Sequence, residues 1–446
     1  MVGSRFGGCV GNKADNASHL TTRQARLRLL LRLLKISPTV RRPLVISVGL
    51  LIILAAGVVW GRLVLPPRNP LKPSGIVSQL LSWDGRNYDN IMRGGYHWNP
   101  ATGELLHHYQ NIVFFPLQPL LDWLIAILAG STASILVILV TLGFGIASIF
   151  IFDTFARSVL RQDAARWATI FFAFWPVSCF YIMGYPTGLI SLCTIAALAD
   201  HMNGRHWRSA LWCGIGTAAA PTVVFVVAAL GIDRLATWRR GDAKARHFLA
   251  LGGWGVLSVA GLLGFMVYQA IVFHDPLAFV HAQAAWGTAP PLVTRLTRLI
   301  APSWYVQQFN AGILEIHAGL RTSHQGGGTS AAMVPIEAGV QRLINSAMAT
   351  LALIGLGCAT FIFRRRGWVV PLAGWSVVAG YAWFIFSTNQ NMLSLPRLMM
   401  PAIAIFLGLG WLAARTHRFV GMALLLVFAI LSVAEAAFAS AGYWVV

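Results

Sequence analysis

Charged side chains are scarce in this 446-residue chain, at 11% of the total, where a soluble globular domain carries roughly a quarter. Carboxylates are the scarcer half: 14 Asp and Glu stand against 34 Lys and Arg, for a net charge of +20. Cysteine is sparse as well. Cys9, Cys179, Cys193, Cys213 and Cys358 form no CxxC pair and four of them fall inside apolar runs, so neither a disulfide framework nor a zinc site is supported. With 57% hydrophobic residues, a single soluble domain is excluded. In a soluble chain the cation excess would point to nucleic acid. In a membrane protein the same excess gathers on cytoplasmic loops and records orientation.

A helix that crosses the hydrocarbon core needs about 20 mostly apolar residues. Nine segments are expected to span: 43–60, 133–153, 167–184, 187–200, 248–273, 343–363, 368–386, 398–414 and 419–441. With the amino terminus in the cytoplasm, 24 of the 34 cations fall on cytoplasmic segments and ten on the longer outer ones. The stretch 209–230, split by Pro221, lies between two basic loops and must cross twice or dip in and return, which gives about nine to eleven crossings. The expected organisation is a basic cytoplasmic tail, 1–42, and one polytopic membrane domain, 43–446. Two long outer loops, 61–132 and 274–342, belong to that domain. The basic amphipathic stretch Arg23 to Lys35 suits contact with anionic membrane lipids.

The distinctive sequence is all on the outer side. Residues 83–96 read WDGRNYDNIMRGGY, and helical spacing puts Asp84, Tyr88, Ile91 and Gly95 on one face. Trp83 has a flat ring suited to the membrane interface or to stacking on a sugar. VFFPLQPLL at 113–121 predicts an interfacial or re-entrant helix. HDPLAFVHAQAAW at 274–286 and SLPRLMMPA at 394–402 follow in order on the same face.

This ordered set resembles the PIG-V-like family of GT-C membrane glycosyltransferases, relatives of the GPI mannosyltransferase II of eukaryotes. The resemblance runs from about residue 80 to 405. It implies an all-α integral membrane fold, a GT-C-type polytopic helical bundle, and transfer of a hexose, mannose above all, from a polyprenyl-phosphate donor outside the cytoplasm. Residue by residue, it makes Asp84 the general base. Trp83, Tyr88, Gly95, Tyr96, Phe114, Phe115 and Pro116 match neighbouring positions, Asp275 and Pro276 the later element, and Arg397 the terminal arginine. One departure stands out: where relatives carry a tyrosine, a hydroxyl residue and a glutamate, this chain has Tyr185-Pro186-Thr187-Gly188.

The implied chemistry needs little. Inverting displacement at an anomeric carbon requires one base to take the acceptor's proton. The departing phosphate is already a good leaving group, so a guanidinium can replace a general acid; Arg397 fits, with His281, Arg295 and Arg298 as weaker candidates. Six carboxylates fall on the cytoplasmic side and Glu435 in the last helix, leaving Asp84, Asp89, Glu104, Asp122, Asp275, Glu315 and Glu337. Asp89 lies about 140° round a helix from Asp84, so the two should not pair. Glu104, near the HHYQN segment, is a candidate for acceptor binding. Loop histidines His97, His107 and His108 invite a metal site, but neighbouring loop histidines are common and no metal or other cofactor is expected. The acceptor is a glycolipid, a glycan or a protein. The competing class is a transporter or lipid flippase, against which stand the lack of an internal repeat and the few ionisable residues at mid-membrane.

Overall fold

The computed structural model describes residues 37–68, 75–98, 111–239, 245–282, 291–325, 329–365, 367–384 and 394–445. Two compact units are resolved, Met1–Val45 and Ile46–Val446; the first is described only from Ser37, as helix from Pro38. Among the described residues every regular element is a helix, with no strand.

Four helices are long and apolar enough to cross a bilayer: α1 (Pro38–Val64), then α5 (Ile135–Val159), α15 (Thr329–Phe363) and α19 (Arg418–Ser440). They account for the expected spans at 43–60, 133–153, 343–363 and 419–441. Two more spans are broken. α6 (Gln162–Ala173) turns by 60° into a 3-10 stretch, Pro176–Ile182, and α10 (Ala245–Ser258) turns by 63° into α11 (Ala260–Phe273). Pro176 explains the first break, because it has no N–H to continue the helical ladder. The chain is thus a multi-pass membrane protein, with four to six crossings among the described residues.

The remaining three expected spans, 187–200, 368–386 and 398–414, are α7 (Thr187–Met202), α16 (Val369–Phe384) and α18 (Ala404–Arg415). All three are apolar but under 18 residues, too short to cross unaided. The split segment 209–230 forms α8 (His206–Ala219) and α9 (Val223–Arg239), parted at Pro221. Of the two prolines of 113–121, Pro116 is the N-cap of α4 (Leu117–Ala129) and Pro119 lies in its first turn; the helix is 13 residues long and again too short to span.

Between the crossings lie the further helices α2 (Ile76–Leu80), α3 (Asp84–Gly94), α12 (Ala278–His281), α13 (Leu292–Ile300), α14 (Pro302–His324) and α17 (Leu395–Leu398). The expected outer loop 274–342 is therefore largely helical. Its longest element, α14, packs along the first half of α15. The core around the break after α6 is aromatic. Phe152 stacks on Phe172 at 4.5 Å, and the buried Trp175 ring meets Phe406 and Phe428 edge-on at 5.3 and 5.4 Å. Trp175 also donates its indole N–H to the Pro396 carbonyl at 3.1 Å. That bond ties α17, the carrier of Arg397, to the break between α6 and the 3-10 stretch.

Candidate active site

Asp84 is the first residue of α3, where a carboxylate suits the positive end of the helix dipole. Its backbone N–H donates to the Tyr185 hydroxyl at 3.2 Å. Next along the chain, Gly85 lies flat against the loop that leads to Tyr185: a Cβ there would sit 2.1 Å from the Met183 carbonyl oxygen. Gly184 turns that loop back with φ of 78°, a conformation that favours glycine.

Arg397 reaches Asp84 from the far end of the sequence. Its Nη1 donates to Asp84 Oδ2 at 3.1 Å, and the side chains keep 15% and 26% of their exposure, so the pair is sheltered but open to a ligand. The guanidinium lies over the Phe180 ring at 5.0 Å and the Tyr185 ring at 4.8 Å. These two rings meet edge-on at 4.6 Å, making an aromatic corner beneath the cation. Burial acts to lower the Arg397 pKa, but Asp84, Tyr185 and Tyr88 outweigh it and hold the group above its ordinary value, fully charged. Burial, then the charge of Asp84, pushes the Tyr185 and Tyr88 hydroxyls upward, so both stay protonated. The result is a carboxylate acceptor, a fixed cation and two neutral phenols in one partly open site.

Other candidates from the sequence are spread over several places. Tyr88 is buried on the inner face of α3, edge-on to Phe114 at 5.3 Å, so the expected helical face of Asp84 and Tyr88 is present. Tyr96 and Phe115 lie farther along the loop. The Tyr96 hydroxyl donates to the Phe114 carbonyl at 2.8 Å and its ring contacts Phe265 and Tyr268; Phe115 is buried against Phe265 and Phe279. These aromatics join Tyr96 and Phe115 to α11 and α12. Asp275 and His281 pair with each other, Oδ2 to Nδ1, at 2.7 Å, and Asp275 Oδ1 accepts the Leu277 N–H in a capping arrangement. No hydrogen bond or ion pair among the described residues joins them to Asp84 or Arg397. Glu104, with His107 and His108, lies outside the described residues. Asp89 pairs with Arg93 and accepts from Ser134, apart from Asp84.

Trp83 is engaged on several sides: its indole N–H donates to the Tyr443 carbonyl at 3.3 Å, Arg68 stacks on its ring at 4.6 Å, and Trp444 meets it edge-on at 4.6 Å. Tyr185 and Phe180 were not picked out from the sequence as site residues, although Tyr185 was visible as the point of departure from the family pattern. Arg68 had one signal, its place among the ten cations of the outer side. Among the described residues no group of three or more His, Cys, Asp or Glu side chains could hold a metal ion.

No curated protein matches this one. The oligosaccharyltransferase of Archaeoglobus fulgidus, in a complex with zinc and sulfate, is 14% identical with a TM-score of 0.45; the similarity covers 89% of this chain and 53% of that one. The oligosaccharyltransferase AglB of Archaeoglobus fulgidus, with an inhibitory peptide and a dolichol-phosphate, is 13% identical at a TM-score of 0.44, over 90% of this chain and 56% of that one. This chain spans about half the length of those enzymes. The family comparison is sharper, and it bears out the resemblance carried by the ordered motifs: residues 72–283, which include Asp84 and Tyr185, match the mannosyltransferase (PIG-V) family.

Proposed function

We propose that this protein is a GT-C-type glycosyltransferase that moves a hexose, mannose in the first instance, from a polyprenyl-phosphate donor to an acceptor hydroxyl. The acceptor is a glycolipid, a glycan or a protein, presented on the non-cytoplasmic face of the plasma membrane. The excess of cations on the opposite loops supports that orientation, with the amino terminus in the cytoplasm.

The observation that carries the proposal is the pairing of Asp84 with Arg397 over the Phe180–Tyr185 corner. In the resting pair the Arg397 guanidinium donates to Asp84 Oδ2, so that oxygen is already engaged before a donor binds. A lipid-linked phosphate is a better partner for a guanidinium, which clasps two of its oxygens at once. Donor binding then draws Arg397 from Asp84 to the phosphate, and the carboxylate is released to accept the proton of the incoming hydroxyl. The C–O bond to the phosphate breaks as the bond to the acceptor forms, with inversion at the anomeric carbon. The proton goes to Asp84 and the negative charge stays on a phosphate that Arg397 neutralises. By analogy with glycoside hydrolysis the transition state is oxocarbenium-like.

General-base catalysis by a positioned side chain is worth roughly 10²- to 10⁴-fold. Replacement of Asp84 by Asn keeps the shape and removes the base, so transfer of radiolabelled mannose from polyprenyl-phosphate mannose in isolated membranes should fall by that factor at normal protein levels. Turnover close to that of the unaltered protein would sink the assignment.

A further inference from the structure

Trp83 adopts φ 61° and ψ −129°, a backbone conformation that residues with a side chain rarely take. Such strain persists only where the surroundings over-determine it, and it clusters at functional sites. Here the strained peptide immediately precedes Asp84, and its geometry sets the direction in which Asp84 meets Tyr185 and Arg397.

The surroundings that hold it come from distant parts of the chain. Arg68 lies on the ring, Trp444 against its edge, and the Tyr443 carbonyl on its indole N–H. Each holder is itself fixed. Arg68 Nη1 bonds Glu337 Oε1 at 3.1 Å, and the Trp444 backbone N–H donates to the same oxygen. Gln341, one turn beyond Glu337 on α15, donates to the Trp444 carbonyl and to Glu435 of α19, both at 3.3 Å. Glu337, Gln341 and Glu435 are all buried. A tryptophan needed only for packing would not require an ion pair and a second tryptophan arranged to hold its backbone in a glycine conformation.

We infer that Arg68, Glu337 and Trp444 form a clamp whose role is to hold Trp83, and through it Asp84, in the geometry needed for proton abstraction. This rests on the assignment of Asp84 as the base. These are positioning residues: among the described residues no hydrogen bond, ion pair or ring contact joins them to Asp84 or Arg397, and all lie outside residues 72–283. Loss of the clamp should lower the rate of the chemical step and leave donor binding alone, since a displacement of about 1 Å in a reacting group slows a reaction by about 10²-fold.

The test uses the full chain in isolated membranes, with radiolabelled polyprenyl-phosphate mannose as donor and the endogenous acceptors. For Trp444→Ala the maximal rate per folded enzyme should fall about 10- to 100-fold, while the donor concentration giving half that rate stays within about twofold. Trp444→Phe keeps an aromatic edge against Trp83 and gives up only an indole N–H that has no hydrogen-bond partner among the described residues, so it should restore most of the rate. A normal maximal rate for Trp444→Ala, a loss that Trp444→Phe does not restore, or a raised donor requirement at unchanged rate would each overturn the clamp. If Trp444→Ala does not accumulate, Glu337→Gln takes its place; it keeps an acceptor for the Trp444 N–H and removes only the charge facing Arg68. A slower maximal rate at unchanged donor requirement supports the clamp and an unaltered rate overturns it. Asp84→Asn, run alongside, separates the two ideas. An active Asp84→Asn refutes the base, whereas an inactive Asp84→Asn beside a fully active Trp444→Ala refutes the clamp alone.

Discussion

The pair between Asp84 and Arg397 joins residues 313 positions apart, and its strength can be measured by a double-mutant cycle of Asp84→Ala, Arg397→Ala and the two combined. At 3.1 Å the gross Coulomb attraction is about 5 kcal/mol with an effective dielectric constant near 20. Most of that is offset by desolvation of the two ions, and a hydrogen bond between charged groups nets about 1.5–3 kcal/mol. With 15% and 26% of the side chains still exposed, screening brings the expected coupling to about 1–2 kcal/mol. Arg397→Ala alone should lose more than the coupling, because its two ring contacts add about 0.5–1 kcal/mol each. Asp84→Ala gives up in addition about 0.3–1 kcal/mol of interaction with the helix dipole. Neither extra survives in the coupling, which the cycle isolates. The measurement is reversible unfolding of the purified protein in mixed detergent micelles. A coupling below about 0.5 kcal/mol would mean that the pair does not form, and with it would go the idea that donor binding frees the base.

Other perturbations test neighbouring parts of the same site. Arg397→Lys keeps the charge but loses the planar fork and its stacking on Phe180 and Tyr185, so half-saturation by polyprenyl-phosphate mannose should require about tenfold more donor; an unchanged donor requirement removes Arg397 from the phosphate. Gly85→Ala would drive a methyl group onto the Met183 carbonyl. It should cost about 1–3 kcal/mol of stability and cut transfer, and a fully stable, fully active variant would show that α3 does not lie on that loop. For orientation, thiols introduced at Ser131, between α4 and α5, and at Gly367, between α15 and α16, should differ in intact cells of a cysteine-free background. A membrane-impermeant maleimide should label the first and spare the second, and the reverse pattern would invert the topology.

How much of this was legible beforehand depended on the range of the signal. The long spans α1, α5, α15 and α19 declare themselves through continuous apolar runs, because bilayer thickness imposes a length that local sequence must meet. α7, α16 and α18 are just as apolar, but where such a helix ends depends on caps and breaks that hydropathy does not register. The helices of 274–342 stayed hidden for the opposite reason: α14 mixes polar and apolar residues, and its packing against α15 is a tertiary fact. Asp84 stood out through its motif. Arg397 stood out through the terminal motif, but nothing local tells it or Tyr185 that they will meet Asp84. Trp83 is the plainest instance. Composition suggests a ring for lipid or sugar, whereas the structure occupies it with Arg68, Trp444 and the Tyr443 carbonyl.

α15 has a consequence for the membrane itself. Its 35 residues make it roughly 52 Å long, against a hydrocarbon core of about 30 Å, so a good part of the helix stands clear of the lipid. Glu337 is on its first third, and the same rigid rod is embedded in the bilayer lower down. Where the bilayer is thinner than the apolar part of a span, the helix responds by tilting. Tilt of α15 carries Glu337 with it, and so shifts the support of the peptide in front of Asp84. With Asp84 as the proposed base, hydrophobic mismatch thereby becomes a variable of the proposed reaction, and the lipid acts as a mechanical setting of the geometry at Asp84 as well as the protein's solvent.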